Sequence, residues 1–404
     1  MGSNNSNVDR REAASCLWEP PALPEVLGPR LRDTLAGFIQ RVKADGVPLP
    51  PSIFPFEDVG AIRPSGHRRC YYLKLSEGDG GGYIAIKGCE PFLLHQLEPL
   101  ARTRLPLARM GELTAMDFYP LREHKVPMAV TRGEAVDEAE RAHAVYTKYV
   151  ARYREAPLLP VPLLAARWPD EVASGHHRAL APLLSPFANE AVERLTREGL
   201  GCFLYHYPVA PFPRVRHFVQ GLGAEPARWV ERLEAIESPL VTVERWVRLF
   251  ARMLAVGFVP AITSQGETGF TVQFQNVVVG GGFVDLDSVI PAEAFLDDYD
   301  FHESYMLATV TLVTTIAFYL FGYQDRHQGA NTSFGWLRAL LHFQDVLARV
   351  LEEDRKTYGE ETLHPRMRAW PPFNRDPAGL LELMRVFHAR PDLGELCQKL
   401  DGQG

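Results

Sequence analysis

Residues 270–290 read FTVQFQNVVVGGGFVDLDSVI, and the interpretation of the second half of the chain depends on this stretch. Two apolar runs flank three glycines, which is the strand–turn–strand pattern of a β-hairpin. The runs alternate poorly between apolar and polar residues, so we expect both faces of both strands to be covered. Asn276, Asp285 and Asp287 interrupt this apolar hairpin.

These three side chains form a set of oxygen donors. Strand alternation across VDLDS predicts that Asp285 and Asp287 lie on one face and Leu286 on the other. Two neighbouring carboxylates repel each other unless water, a cation or a basic side chain compensates them. Amide and carboxylate oxygens suit Mg²⁺ when phosphates complete its shell. The pattern favours a cation–phosphate site; the alternative is a hairpin rim with two solvated acids and a turn-capping Asn.

Composition sets wide limits on function. The chain has 404 residues, of which 46% are hydrophobic and 23% charged, which is ordinary for a soluble globular protein of two or more domains or lobes. A formal net charge of −7 gives no reason to expect nucleic acid as the main partner. The five cysteines are scattered, without a CxxC pair or zinc-ligand spacing, which favours a reducing compartment.

The most apolar window covers residues 305–323 and reads YMLATVTLVTTIAFYLFGY. It approaches the minimum length of a membrane span, but four Thr and three Tyr dilute it. We therefore expect a buried core helix and no membrane association. The polar N-terminus lacks the apolar core of a signal peptide, and a cytoplasmic protein is the expectation.

The first half of the chain reads as strands and one long helix. Residues 68–88 predict a hairpin around a glycine-rich turn, and residues 132–156 predict a helix of about six turns. Residues 157–168, which contain three prolines, predict an edge strand, and 177–187 predict a further strand. A helix that stops at Gly46 precedes these elements.

The second half reads as mainly helical. Helical segments are predicted at 189–199, 225–237, 241–256, 302–322, 334–355 and 377–400. The predicted fold class is α+β with two lobes and a cleft between them. The predicted organisation is a flexible arm at 1–30, an N-terminal α+β lobe at 31–187, and a mainly helical lobe at 188–404 that carries the hairpin 270–290.

QFQNVVVGGGFVDLDSV resembles the catalytic loop and metal-binding strand of protein-kinase-like folds, including small-molecule kinases. The resemblance implies a two-lobed kinase-like architecture that binds ATP and Mg²⁺. Asn276 and Asp285 would be the Mg²⁺ ligands and Asp287 an auxiliary acid. Gln275, which precedes Asn276, is a candidate contact with the cofactor.

Elements of the first half resemble other parts of the same fold. YIAIKG is similar to the strand whose lysine reaches the nucleotide phosphates, which implies that role for Lys87. The helix at 132–156 resembles the helix whose glutamate orients that lysine, with Glu134 or Glu138 in the role. ALAPLLSPF, residues 179–187, would be the strand and hinge that line the adenine pocket.

The loop departs from the kinase pattern at two positions. Thr271 stands where the substrate proton would be accepted by an Asp, and Gln273 stands where a His is common. Neither side chain is a carboxylate base at neutral pH. The proton could instead be accepted by a base elsewhere in the chain, and Glu267 is the nearest candidate. Alternatively, the reaction needs no base.

A second lysine competes with Lys87 for the phosphate contact. Lys125 lies just before the long helix and close in sequence to Glu134 and Glu138. That proximity is what a lysine–glutamate pair between a strand and a helix would show. The alternative for each lysine is a solvated position at a strand edge.

The same arrangement is similar to the ATP-dependent synthetases of siderophore assembly that act without peptide-synthetase modules. Gln275–Asn276 and Asp285–Asp287 would carry over, and the reaction would be carboxylate activation followed by amide or ester formation. Three functions therefore stay open. The leading hypothesis is ATP- and Mg²⁺-dependent phosphoryl transfer to a small molecule or peptide; the others are an ATP-dependent ligase and an inactive kinase-like binding module. The acceptor and the oligomeric state are not encoded in any recognisable pattern.

Overall fold

The structure is a computed structural model with an α+β fold. It describes residues 16–47, 61–62, 70–88, 126, 129–183, 186–215, 239–262, 269–270, 272, 274–321, 332–359 and 364–368. The chain forms two compact units, one of residues 1–143 and 161–209, the other of residues 144–160 and 210–404. The predicted boundary at 187/188 is too early, because a strand at 200–207 still belongs to the first unit.

The first unit is built on a seven-stranded sheet. Its strands are β1 (Cys16–Trp18), β2 (Ala61–Ile62), β3 (Cys70–Lys74), β4 (Tyr83–Lys87), β5 (Val130–Thr131), β6 (Val161–Arg167) and β7 (Leu200–Tyr207). Six of them follow the order β1-β6-β7-β4-β3-β2, and β5 also pairs with β7. All of these pairs are antiparallel. Strands β3 and β4 confirm the hairpin predicted at 68–88.

The described helices that belong wholly or partly to this unit are α1 (Pro29–Asp45), α2 (Arg132–Tyr153, up to His143), α3 (Asp170–Leu180) and α4 (Pro186–Glu198). Helix α1 ends at Gly46 as predicted, because that residue adopts a φ of 84°. Apolar side chains of α1, α3 and α4 form one core with the sheet residues Tyr71, Ile84 and Ile86. This core covers one face of the sheet.

The sequence patterns do not predict the central strand β7. All eight of its residues, LGCFLYHY, are buried, and it pairs with β4, β5 and β6. A strand covered on both faces has no polar–apolar alternation. The signal that could have found it is a short apolar and aromatic run between Gly199 and Pro208.

The strand predicted at 177–187, with its role as a hinge beside an adenine pocket, is wrong. Residues Asp170–Leu180 form α3, and Ala181–Leu183 continue as a 3₁₀ helix. Asp170 and Glu171 in the first turn, and His177 and Arg178 in the last, suit the helix dipole. These charges at the two ends favour a helix, and they prevail over the apolar run that predicted a strand.

Strand β6 is also not the predicted edge strand, because β1 pairs along its outer side. Pro162 is tolerated where the register shifts between Pro162 and Leu164, since such an irregularity removes the need for a regular ladder hydrogen bond. Residues 1–30 are predicted to form a flexible arm. Strand β1 lies within this range and pairs with β6, so this part of the predicted arm belongs to the sheet.

The second unit contains α5 (Pro239–Ala255), α6 (Asp298–Phe321), α7 (Thr332–Tyr358) and α8 (Pro365–Arg368). Three two-stranded ribbons join them: β8 (Phe258–Val259) with β13 (Ile290–Pro291), β9 (Ala261–Ile262) with β10 (Gly269–Phe270), and β11 (Val277–Val278) with β12 (Gly282–Phe283). The helices predicted at 241–256, 302–322 and 334–355 are confirmed, whereas those at 225–237 and 377–400 lie outside the described residues.

Helix α6 is the apolar helix noted in the sequence. By length and composition, Asp300–Leu320 is the one helix in the described residues that could cross a membrane, with 56% of its apolar window buried. Core helices of soluble proteins pass the same test. Thr315 of α6 donates its hydroxyl to the carbonyl of Val272 at 3.0 Å, and Tyr319 stacks edge-on against Trp246 at 4.8 Å. These contacts are those of a core helix.

A buried ion pair ties α5 to α7 in this unit. Arg252 donates Nε and Nη2 to the two carboxylate oxygens of Asp354 at 2.9 and 2.8 Å. Its Nη1 also meets Glu155, and its guanidinium lies 4.5 Å from the ring centroid of Tyr153. Arg252 and Asp354 are 6% and 4% exposed, so the pair is removed from solvent.

Candidate functional site

The hairpin quoted from the sequence exists and is buried as expected. Strands β11 and β12 pair antiparallel, with Val277 opposite Phe283, and all four of their residues are buried. The indole of Trp246 donates to the carbonyl of Val278 at 2.9 Å, which fixes the hairpin against α5. The predicted hairpin within 270–290 is therefore confirmed.

Asn276 and Asp285 stand at the open end of this hairpin. The amide N–H of Val284 donates to the carbonyl of Asn276 at 2.9 Å, so the two residues continue the ladder. Asp285 directly follows Val284, and Asn276 is only 3% exposed. The chain thus brings an amide and a carboxylate to adjoining positions of one short ladder.

The chain leaves the extended conformation at Asp285. That residue lies in the left-handed region, with φ 64° and ψ 66°, and Leu286–Ser288 then form a 3₁₀ helix. Alternation with period two does not apply across a helical turn. The prediction that Asp285 and Asp287 share a strand face is therefore wrong, and Leu286 is buried between two partly exposed acids.

The backbone of Asp285 is a distinguishing feature. Among described non-glycine residues, Arg154 and Asp285 have positive φ. Arg154 directly follows α2, where a left-handed residue commonly ends a helix. Asp285 instead precedes the 3₁₀ helix Leu286–Ser288, at a position where the backbone is usually extended, although Asp tolerates the left-handed region better than most residues. Such conformations concentrate at functional sites because the surrounding structure must hold them.

Lys87 and Glu138 meet in the first unit. Lys87 ends β4 in the middle of the sheet, opposite Cys70 on β3 and Phe203 on β7. Its ammonium nitrogen lies 2.5 Å from Oε2 of Glu138 on α2. Their side chains are 10% and 3% exposed, so this is a buried ion pair between a strand and a helix.

Glu134, the other glutamate considered for this role, has a different task. The amide N–H of Glu134 donates to Oγ1 of Thr131 at 3.2 Å, and the amide N–H of Thr131 donates to the Glu134 carboxylate at 2.7 Å. This reciprocal pair is a capping box at the start of α2. One turn of helix therefore separates a capping glutamate from the glutamate that pairs with Lys87.

Arg214 is a neighbour of the site that sequence reasoning missed. Its Nη1 donates to the carbonyl of Gln275 at 3.0 Å, and it forms a backbone bridge with Val278. Arg214 is 61 residues before Gln275 in the chain, and no local motif marks it. The structure thereby places a guanidinium beside the residue that precedes Asn276.

The glycine-rich turn at 76–82 is a plain hairpin turn. The amide of Gly80 donates to the carbonyl of Glu77, and the amides of Asp79 and Gly81 donate to that of Ser76. Amides that are used within a turn are not available to cradle phosphate.

Four positions of the sequence interpretation lie outside the described residues: Lys125, Glu267, Thr271 and Gln273. Their roles stay predictions. In the described part of the chain, no group of three or more His, Cys, Asp or Glu side chains is arranged to hold a metal ion. A site built from Asn276, Asp285 and Asp287 has only two such acids and would need other ligands to complete it.

Comparison with protein-family models, with curated proteins and with solved structures finds no match to this chain. Function must therefore be inferred from the residues and their geometry.

Proposed function

We propose that the protein is an ATP- and Mg²⁺-dependent transferase of kinase-like architecture that transfers a phosphoryl group to a small molecule or peptide. The observation that carries the proposal is the buried pair of Lys87 and Glu138. A lysine on a strand of the sheet paired with a glutamate on a helix is the arrangement that kinases require for activity.

The energetics of the pair support a functional role. Burying two charges costs several kcal/mol per ion, and their attraction often only offsets that cost. An apolar pair of similar volume would stabilise the same strand–helix contact at least as well. The pair is therefore weak evidence for a stabilising role, and in the proposal Glu138 holds the Lys87 ammonium in a fixed position.

The donor set of the second unit fits Mg²⁺. Asn276 offers an amide oxygen, and Asp285 and Asp287 offer carboxylates, all of them hard ligands. The left-handed backbone of Asp285 supports its assignment, since strain of this kind accompanies functional sites. In the proposal Asn276 and Asp285 hold Mg²⁺, and Asp287 is an auxiliary acid. Gln275 precedes them as a contact with the cofactor.

When bound, Mg²⁺ would neutralise phosphate charge during transfer. The ammonium of Lys87 would bind phosphate oxygens, and Glu138 would orient it. We assign the orienting role to Glu138 because Glu134 caps α2. Such sites accelerate reactions chiefly by positioning and by charge stabilisation. Glu267 is the proposed proton acceptor, unless the acceptor group needs no base.

Identification of the product nucleotide tests the proposal directly. The full-length protein is incubated with ATP, Mg²⁺ and a panel of small-molecule and peptide acceptors, and nucleotides are separated by chromatography. We expect acceptor-dependent ADP. AMP with pyrophosphate would instead indicate the ligase, and the absence of turnover together with retained ATP binding would indicate the inactive module. We also propose a cytoplasmic location, where ATP is abundant.

The metal assignment has its own test. Asp285→Asn should abolish Mg²⁺-dependent ATP binding measured by calorimetry, because the variant loses a charged ligand but keeps the size of the side chain. Asp345→Asn, at an exposed position of α7, is the matched control and should bind as the wild type does. Unchanged Mg²⁺ dependence in Asp285→Asn would refute the assignment. Parallel Lys87→Met and Lys125→Met variants decide between the two lysines.

A further inference from the structure

His206 lies fully inside the first unit. It occupies β7 between Ile84 of β4 and Val161 of β6, and is 1% exposed. Its Nε2 is 3.1 Å from the carbonyl oxygen of Gly81. A carbonyl only accepts, so Nε2 carries the hydrogen and the ring is neutral with a bare Nδ1. Nδ1 is buried and has no hydrogen-bond partner among the described residues.

The glycine-rich turn closes directly onto this imidazole. Gly80, Gly81 and Gly82 have φ values of 99°, 74° and 85°, a conformation that other residues rarely adopt. A Cβ at Gly82 would lie 2.5 Å from Nε2 of His206, and a Cβ at Gly80 would lie 2.8 Å from Cβ of Leu31 on α1. Three successive glycines therefore allow the turn to pack against both the ring and the helix.

Protonation of His206 would be costly in this arrangement. The added proton would sit on Nδ1, for which the described part of the chain supplies no acceptor, and the buried cation would lose its hydration. Burial accordingly lowers the pKa of His206 below its ordinary value of 6.5, while the hydrogen bond to Gly81 partly opposes the shift.

Charged neighbours do not relieve this cost. The described titratable groups at this end of the surrounding elements are Arg30 and Arg32 on α1, Lys74 on β3, Glu77 and Asp79 in the turn, Tyr83 on β4, and Tyr205 and Tyr207 on β7. None of them contributes to the pKa shift of His206. The remaining way to solvate the cation is to lift the turn from the ring.

We propose that His206 makes the turn at 76–82 a pH-sensitive latch. Neutral His206 holds the turn closed through its bond to Gly81, and protonation favours an open turn in which water reaches the imidazolium. Because the folded-state pKa is lowered, the closed form is fully favoured above pH 6.5 and is lost as the pH falls through the folded pKa. This inference does not depend on the proposed enzymatic function.

Hydrogen exchange of the full-length protein between pH 5 and 8 tests the latch. The reporters are the amides of Leu75, Gly80 and Gly81, which are bonded within the turn, and the reference is the amides of α6. After correction for intrinsic rates, turn opening in the wild type should rise by about 10-fold per pH unit below the folded pKa, while α6 stays unchanged. His206→Gln keeps an N–H donor for Gly81 and cannot titrate, so its opening should not depend on pH.

His143→Gln is the matched control, because it removes another histidine of the same unit and should keep the wild-type pH dependence of the turn. The same slope in His206→Gln, or no slope in the wild type, would overturn the latch. Should His206→Gln fail to fold, nuclear magnetic resonance of labelled histidine in the wild type decides. We expect an Nε2–H tautomer that titrates below 6.5, and titration at or above that value refutes the proposal.

Discussion

A buried ion pair lies in the described part of each unit, and the two pairs differ in kind. Arg252 and Asp354 share two parallel hydrogen bonds, and Glu155 and the ring of Tyr153 surround the guanidinium. Lys87 and Glu138 meet through an ammonium–carboxylate contact of 2.5 Å. A planar guanidinium in a bidentate pair suits a fixed structural joint, whereas an ammonium on a flexible stem can bind phosphate as a point charge. The comparison teaches that burial alone does not separate structure from function.

The largest expected effect comes from breaking the pair in the second unit. Asp354→Ala leaves the Arg252 guanidinium buried without its bidentate partner, which should cost about 3–5 kcal/mol of unfolding free energy. Arg252 cannot escape by losing its proton, because its pKa is raised further by Asp354 against the effect of burial. Urea unfolding measures the loss.

The matched control is Glu352→Gln, because Glu352 pairs with Arg355 at 2.8 Å in a more exposed part of α7. Solvent screens such surface pairs, so this variant should unfold almost as the wild type does. Equal losses for Asp354→Ala and Glu352→Gln would contradict the structural role of the buried pair.

Breaking the pair in the first unit should cost less. Glu138→Gln leaves the Lys87 ammonium buried, but a buried lysine can lose its proton, so we expect on the order of 3 kcal/mol or less at neutral pH. The loss should shrink as the pH rises toward 10 in urea unfolding experiments, since Lys87 then becomes neutral more readily. Glu140→Gln, exposed on the same helix, is the control. If the loss of unfolding free energy in Glu138→Gln does not depend on pH, Lys87 does not differ from Arg252 in its ability to lose a proton.

A smaller effect is expected one turn earlier on α2. Glu134→Ala removes half of the capping box with Thr131 and should destabilise the protein by about 1 kcal/mol. Asp137→Ala, exposed on the same helix, should be close to neutral. ATP binding should survive in Glu134→Ala if the capping role is its only role. A loss of ATP binding in Glu134→Ala would contradict a purely capping role for Glu134.

The smallest loss of stability is expected at Glu244, a partly exposed residue that binds two arginines. Arg349 and Arg248 donate to Glu244 at 2.8 and 3.1 Å, and the bond from Arg349 is the main cause that lowers the pKa of Glu244 below 4.5, against burial. The lowered pKa means that this stabilisation is present above pH 4.5 and is lost as the pH falls through the folded pKa. Glu244→Gln should therefore cost under about 1 kcal/mol at pH 7 and nothing in strong acid. A loss that persists in strong acid or in 1 M salt would contradict an electrostatic origin.

The sequence predicts the elements whose signals are local. Helix α1 follows from apolar spacing and Gly46, and the two hairpins follow from glycine clusters between apolar runs. Strand β7 is not predicted, because a strand buried on both faces lacks polar–apolar alternation. Helix α3 is not predicted, because its apolar run is typical of a strand and hides the helix signal of its terminal charges. The predicted edge position of β6 fails because its partner β1 is more than 140 residues away in the chain.

The candidate site is predictable only in its residue types. The motif around Lys87 marks the lysine, but spacing alone cannot choose between Glu134 and Glu138; the fold decides through the start of α2 at Arg132. Likewise, VDLDS reads as a strand until the left-handed backbone of Asp285 turns the chain. Arg214 is absent from any sequence motif because only the folded chain brings it to Gln275.

The most direct test of the account replaces both members of the first pair at once. Lys87→Met with Glu138→Met removes both buried charges and keeps apolar volume, so stability should return to the wild-type value or above it. Calorimetry of Mg²⁺–ATP binding on this folded double variant separates structure from function. We expect a loss of ATP affinity of at least tenfold, while Arg252→Met with Asp354→Leu should bind ATP with wild-type affinity. Wild-type affinity in the Lys87–Glu138 double variant would contradict the account.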